Sequence, residues 1–113
     1  MPGWFSLISH RVGVDMYVIR DTFTCKPGMS RKVAEMFKAT MPSMAEFDGF
    51  RNGRVMVDAV AGYWTVVLET EADSLEQFER HMATFASRPD IRKSMEGYMD
   101  LVQGGKREIF RII

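Results

Sequence analysis

Asp21 is the residue best placed for chemistry in the first strand-like run of the sequence, MYVIRDTFTC. The residues two and four positions on either side of Asp21 are apolar: Tyr17, Ile19, Phe23 and Cys25. Because alternate residues of a β-strand lie on one face, the pattern places a carboxylate among apolar side chains. Asp21 could act as a general base or orient a substrate. Alternatively, it pairs across strands with Arg107 or Arg111, near the end of the chain.

His81 is the second candidate, in a segment with helical spacing. It follows Phe78 by three residues and precedes Phe85 by four, so it flanks the predicted apolar stripe of Leu75, Phe78, Met82 and Phe85. An imidazole at the edge of a pocket could transfer protons near neutral pH. The alternative is a boundary histidine with one nitrogen satisfied. We predict Asp21 and His81 as the catalytic residues.

Three further side chains could bind a substrate. Trp64, which follows Tyr63 in the run YWTVVLET, could stack on a planar ligand, although an aromatic residue on a packed sheet is usually core. Phe78 would line the same pocket. Arg20 could bind an anion, although a strand arginine more often forms a salt bridge at an interface. Phosphate-loop, nucleophile-elbow and paired-carboxylate motifs do not occur in the sequence.

Length and composition narrow the class of protein. The 113 residues are enough for one domain with one core. Fifteen basic residues balance fifteen acidic ones, which disfavours binding to nucleic acid or to an anionic membrane. One cysteine and two histidines provide neither an internal disulfide nor a zinc-finger ligand set. The first residues resemble neither a secretory signal nor a membrane span. We therefore expect a cytoplasmic protein with no metal and no cofactor.

Periodicity predicts the element order strand, helix, strand, strand, helix, strand. The first helix should end near Met41, before Pro42. A second helical segment opens at Ser74, whose spacing to Gln77 is that of a capping box, and a further helical stretch should end at Gly104-Gly105. The last strand is KREIFRII. Residues 1–15 are predicted to be an extension, and 16–113 a single domain.

A βαββαβ chain with right-handed crossovers predicts a ferredoxin-like α+β protomer. It has a four-stranded antiparallel sheet with both helices on one face and the first and third strands at its centre. Val18 and Val67 point away from the face that carries Ile19 and Val66, so both faces of the sheet contain large apolar residues. An exposed apolar face of that size normally marks an interface. We expect two subunits to pack their sheets together as a homodimer.

With these elements, the chain resembles the dimeric α+β barrel superfamily, the antibiotic-biosynthesis-monooxygenase-like and NIPSNAP-like small proteins. The resemblance covers about residues 16–113. The segments that carry it are Lys26-Pro27-Gly28, the helix Ser30–Met41, Leu68-Glu69-Thr70, the run SLEQFE from Ser74, and GKREIF from Gly105. It implies a homodimer whose two sheets form a barrel, with ligand pockets between sheet and helices. The superfamily includes cofactor-free monooxygenases, haem-degrading enzymes and lactone isomerases, so the fold alone does not choose an activity.

The haem-degrading branch can be tested residue by residue. Its strand asparagine corresponds to Asp21, and its helix tryptophan to Phe78 or Met82. Its axial histidine would lie near Met95 or Glu96, but no histidine follows His81. Without that ligand, haem binding of this type loses its main anchor. We expect instead a cofactor-independent monooxygenase or isomerase acting on a small apolar or aromatic molecule. The alternative is a non-catalytic ligand-binding or assembly module.

Overall fold

The computed structural model describes residues 16–113; residues 1–15, predicted to be an extension, lie outside the described residues. The elements follow the predicted order, and the further helical stretch expected before Gly104 is a short helix that ends at Ser94. They are β1 (Tyr17–Cys25), α1 (Ser30–Asp48), β2 (Arg51–Val57), β3 (Thr65–Ala72), α2 (Leu75–Thr84), α3 (Pro89–Ser94) and β4 (Val102–Arg111). No helix in this part of the chain is both long and apolar enough to cross a bilayer.

The four strands form one antiparallel sheet in the order β2-β3-β1-β4. The prediction that the first and third strands are central is therefore confirmed. Asp21 lies in the middle of the sheet, opposite Leu68 of β3 on one side and Arg107 of β4 on the other. This register brings residues from three strands together on the inner face of the sheet, the face that packs against the helices.

The core lies between the inner face of the sheet and the helices. From β1 and β3 it takes Ile19, Cys25, Val66, Leu68 and Ala72, and from α1 it takes Val33, Ala34, Phe37 and Met44. These strand residues alternate, and the helix residues recur at the spacing of one buried face. Burial also raises the pKa of the Cys25 thiol, to which the charge of Asp58 adds, so Cys25 is a packing residue.

Helix α1 continues through Pro42 to Asp48, so the prediction of an end near Met41 is wrong. Proline removes one backbone donor from a helix, a local cost that packing can outweigh. Thr40 before Pro42 and Met44 after it are both buried. The helix ends instead at Gly49, whose left-handed backbone (φ 71°) caps it by donating to the carbonyl of Met44. The seven residues beyond Met41 matter because they carry Asp48 into the site.

Strand β4 contains the glycine pair that was expected to end a helix. Gly104 and Gly105 pair with Thr24 and Phe23 of β1. A Cβ on Gly105 would lie 2.5 Å from the backbone oxygen of Thr22. The glycine at 105 is thus required by the close approach of two strands, not by a helix end.

The outer face of the sheet is less apolar than predicted. Glu69 of β3 lies near its centre, with Arg20 Nε 2.8 Å from its Oε2 and Arg54 Nη2 2.6 Å from its Oε1. Burial would raise the pKa of Glu69, but the hydrogen bonds and charges of the two arginines outweigh it and lower the pKa. Around this cluster lie the apolar side chains of Val18, Met56, Val67 and Phe110.

Candidate functional site

A cavity of about 440 Å³ lies between the inner face of the sheet and the helical layer. Its wall is mainly apolar and aromatic. The lining residues from the sheet and α1 are Asp21, Phe23, Phe37, Met44, Leu68 and Arg107. Those from the second half of the helical layer include His81, Met82, Phe85, Ile91, Arg92, Met95 and Tyr98. Asp21 and His81 thus line the same cavity, and its volume is in the range of small-molecule sites.

Asp21 is paired with Arg107 across β1 and β4. Arg107 Nε donates to Asp21 Oδ1 at 2.6 Å, and Nη2 donates to Oδ2 at 3.3 Å. The guanidinium also lies over the Phe78 ring, 5.1 Å from its centroid. The cross-strand pair considered as the alternative role for Asp21 is therefore present. The pairing occupies both carboxylate oxygens, so Asp21 is better placed to fix Arg107 than to take a proton from a ligand.

His81 lies on the buried face of α2 and not at its boundary. Its exposed fraction is 6%, whereas Leu75 and Met82, expected in the buried stripe, are 45% and 48% exposed. The stripe prediction for these two residues is therefore wrong. The polar residues Gln77 and His81, four positions apart, take their place because the end of α1 provides hydrogen-bond partners for both.

The end of α1 holds this face of α2 through one residue, Asp48. Gln77 Nε2 donates to the Asp48 backbone oxygen at 2.6 Å, while His81 Nδ1 lies 2.8 Å from Asp48 Oδ2. Arg88, between α2 and α3, donates from Nη1 and Nη2 to the two carboxylate oxygens at 3.2 and 2.7 Å. The carboxylate is almost fully buried. Asp48, Arg88 and His81 therefore form one connected polar cluster behind the cavity wall.

The environment of His81 favours its neutral form. Burial is the main cause that lowers the pKa of His81, and the positive charges of Arg88 and Arg107 act in the same direction. The hydrogen bond and charge of Asp48 oppose this shift without cancelling it. A neutral imidazole beside a carboxylate donates its Nδ1 proton to that carboxylate. Nε2, which then carries the lone pair, is the nitrogen left for a ligand in the cavity.

Of the three residues predicted to bind substrate, Phe78 lies beside His81, whereas Trp64 and Arg20 do not. Trp64 precedes β3 with a left-handed backbone (φ 58°), so it does not continue the strand alternation, and it is partly exposed. Arg20 lies on the outer face, bound to Glu69. Phe78 lies beside His81, with 6.3 Å between their ring centroids, and the Arg107 guanidinium is stacked on it. None of the three lines the cavity.

Asp48 and Arg88 were not recognised as site residues in the sequence. Asp48 precedes Gly49, and that pair is typical of a turn; Arg88 precedes Pro89 and interrupts a helical pattern. The contacts join Asp48 to His81, 33 positions later, and to Arg88, 40 positions later. The one available signal was a polar pair, Gln77 and His81, at helical spacing on α2. Among residues 16–113, no group of three or more His, Cys, Asp or Glu side chains is arranged to hold a metal ion.

No family model matches the chain, and no curated protein matches its sequence. Solved structures match the fold of the chain. A NIPSNAP family protein from Agrobacterium tumefaciens is 13% identical, with a TM-score of 0.73 over 87% of this chain and 86% of that one. A candidate antibiotic biosynthesis monooxygenase from Chloroflexus aurantiacus is 15% identical, with a TM-score of 0.67 over 87% and 93%.

A third structure is described as a dimeric protein of unknown function with a ferredoxin-like fold, from Bacteroides fragilis. It is 14% identical, with a TM-score of 0.65 over 86% of this chain and 96% of that one. At these identities the likeness concerns the fold. The protein has the ferredoxin-like fold found in NIPSNAP family and antibiotic-biosynthesis-monooxygenase-like proteins, as its sequence resemblance implied.

Proposed function

We propose that the protein is a homodimeric enzyme that removes a proton from a small apolar or aromatic molecule, with His81 as the base. The observation that carries the proposal is the combination of a neutral, buried imidazole with a fixed Nδ1, on the wall of an apolar cavity. General bases are most effective when they are unprotonated near the working pH and held in one orientation. Asp48 supplies the orientation, and Arg88 fixes Asp48.

The proposed reaction is an isomerisation through an enolate. Nε2 of His81 takes a proton from a carbon next to a carbonyl group, and the electron pair of the C–H bond moves to the carbonyl oxygen. The imidazolium then returns the proton to a different carbon, so that no oxidant is required. Asp48, hydrogen-bonded to Nδ1, stabilises the imidazolium while it lasts. A monooxygenase would begin with the same proton removal and pass the electrons to molecular oxygen.

The second subunit is proposed to cover the outer face of the sheet. That face carries four apolar side chains around the Glu69 cluster, and among these Phe110 is 44% exposed. A structural neighbour with 14% identity is described as dimeric, which supports a dimer for this chain. A dimer of this kind leaves the cavity of each protomer on the opposite side of its sheet, so each subunit would have its own site.

A non-catalytic module that binds a small ligand remains the second candidate. The apolar cavity wall favours it as much as it favours catalysis. The two candidates differ at His81, because binding alone does not need a neutral, oriented imidazole.

The role of His81 as a base is tested by the exchange of carbon-bound protons of a ketone for deuterium. 2-Tetralone, a small aromatic ketone, would be incubated with the protein in D₂O, and the loss of its C1 protons followed by NMR. We expect exchange above the buffer rate with the wild type, loss of that excess in His81→Gln, and retention in Glu79→Gln, an exposed residue on the same helix. Circular dichroism would verify that both variants are folded. Binding of 2-tetralone without faster exchange would support the non-catalytic module instead.

A further inference from the structure

Arg92 is a cation on the cavity wall that has no carboxylate partner within residues 16–113. It lies on α3 and lines the same cavity as His81 and Asp21. Its side chain forms no ion pair or hydrogen bond with any residue in the described range 16–113. By contrast, Arg88, four residues earlier, is held by Asp48 through both terminal nitrogens.

The charges that line the cavity do not cancel. Asp21 and Arg107 neutralise one another through two hydrogen bonds. His81 is neutral when its pKa is lowered as described. Arg92 therefore leaves one net positive charge on a wall that is mainly apolar. An exposed cation at the edge of an apolar cavity attracts a ligand that is apolar over most of its surface and carries one negative charge.

We infer that the ligand of this cavity is a small apolar monocarboxylate, whose carboxylate group is bound by Arg92. This inference rests on the proposed use of the cavity as the ligand site, and it adds the substrate class. The planar guanidinium of arginine matches a carboxylate and donates two parallel hydrogen bonds to it. The aromatic or aliphatic body of the ligand would lie between Phe37, Phe85 and Ile91, with its reactive carbon facing His81.

Arg107 provides a second donor for the same class of ligand. Its Nε and Nη2 are used by Asp21, but Nη1 lies 3.3 Å from the sulfur of Met82, which is a weak acceptor. A carbonyl or enolate oxygen of the ligand would replace that sulfur as a better partner. Arg92 would then fix the carboxylate, while Arg107 contacts the oxygen on which charge develops.

Two nearly isosteric probes test the inference: 2-naphthoate, which is charged, and 2-naphthamide, which is neutral. Binding of each to the full chain would be measured by isothermal titration calorimetry. We expect the wild type to bind naphthoate about tenfold or more tighter than naphthamide, the effect of one charged hydrogen-bonded contact. In Arg92→Gln the naphthoate affinity should fall about tenfold while the naphthamide affinity is unchanged.

Lys93→Gln is the matched control, because Lys93 is the next residue, is exposed and is not part of the cavity wall. It removes the same charge and should leave both affinities unchanged. The inference is wrong if the wild type binds the two probes equally or binds neither, or if the two variants behave alike. It stands apart from the proposed catalysis, since naphthoate binding that depends on Arg92 can occur whether or not 2-tetralone exchanges its protons.

Discussion

His81 Nδ1 lies 2.8 Å from Asp48 Oδ2, where the last turn of α2 meets the end of α1, and both side chains are buried. A buried carboxylate is stable only when its charge is compensated, and here Arg88 provides the compensation with two hydrogen bonds. The same arrangement leaves His81 neutral and oriented. One cluster therefore has two consequences, one for stability and one for the proposed chemistry, and they can be measured separately.

Asp48→Asn should destabilise the fold strongly. The amide keeps the size of the side chain but leaves the Arg88 charge without its partner, and breaking a buried pair in this way costs about 3–5 kcal/mol. Urea unfolding followed by circular dichroism measures the change. Asp73→Asn is the control, because the Arg51–Asp73 pair is exposed and should contribute less than about 1 kcal/mol. Equal losses for the two variants would contradict a buried, essential Asp48.

Stability should fall as the pH is lowered through the ordinary His81 pKa of 6.5. The pKa of His81 is lowered in the folded state, so between that lowered value and 6.5 the unfolded chain binds more protons than the folded one. The free energy of unfolding is therefore highest above pH 6.5 and decreases below it, until the folded imidazole also becomes protonated.

Unfolding in urea at pH 8 and pH 5.5 measures this dependence, in a range where few carboxylates titrate. We expect the wild type to be less stable at pH 5.5, and His81→Gln to show a smaller difference between the two conditions. A wild type that is more stable at pH 5.5 would mean that Asp48 raises the pKa of His81 more than burial lowers it.

The sequence was sufficient for the parts of the structure that depend on alternation along strands. Asp21 could be expected to face Arg107 or Arg111 across adjacent antiparallel strands, and it pairs with Arg107. Sheet order follows from the same local rules with the handedness of crossovers. Residues Thr65–Ala72 alternate as expected, whereas Trp64 does not, because its backbone turns at that residue.

The cluster of Asp48, Arg88 and His81 could not be predicted from alternation along strands. It depends on how far α1 extends past Pro42, and on how α2 is rotated about its own axis. Hydrophobicity predicted that Leu75 and Met82 would be buried, but satisfied hydrogen bonds allow Gln77 and His81 to be buried instead. A polar side chain becomes a core residue only when a partner exists elsewhere, and that partner is set by tertiary packing.

The proposed dimer should depend on Phe110. Phe110→Glu adds a charge to the outer face of β4 and should convert a dimer to a monomer, as light scattering at micromolar concentration would show. Leu75→Glu is a matched control: Leu75 has almost the same exposure, 45% against 44%, but lies on α2 in the helical layer. A monomeric wild type would refute the dimer, and a dimeric Phe110→Glu variant would place the interface elsewhere.

Two adjacent glycines of β4 should respond differently to the same substitution. In Gly105→Ala the new methyl group would meet the Thr22 backbone oxygen at 2.5 Å, whereas nothing lies within 4 Å of the corresponding position at Gly104. A backbone atom cannot move aside as a side chain can, so β4 must separate locally from β1, at a cost of about 1–3 kcal/mol. Gly104→Ala should be close to neutral.

Because β1 and β4 also hold Asp21 against Arg107, Gly105→Ala should weaken ligand binding, while Gly104→Ala leaves it intact. Chemical unfolding and calorimetry on the two variants measure both effects, and equal stability of the pair would contradict the close approach of the strands.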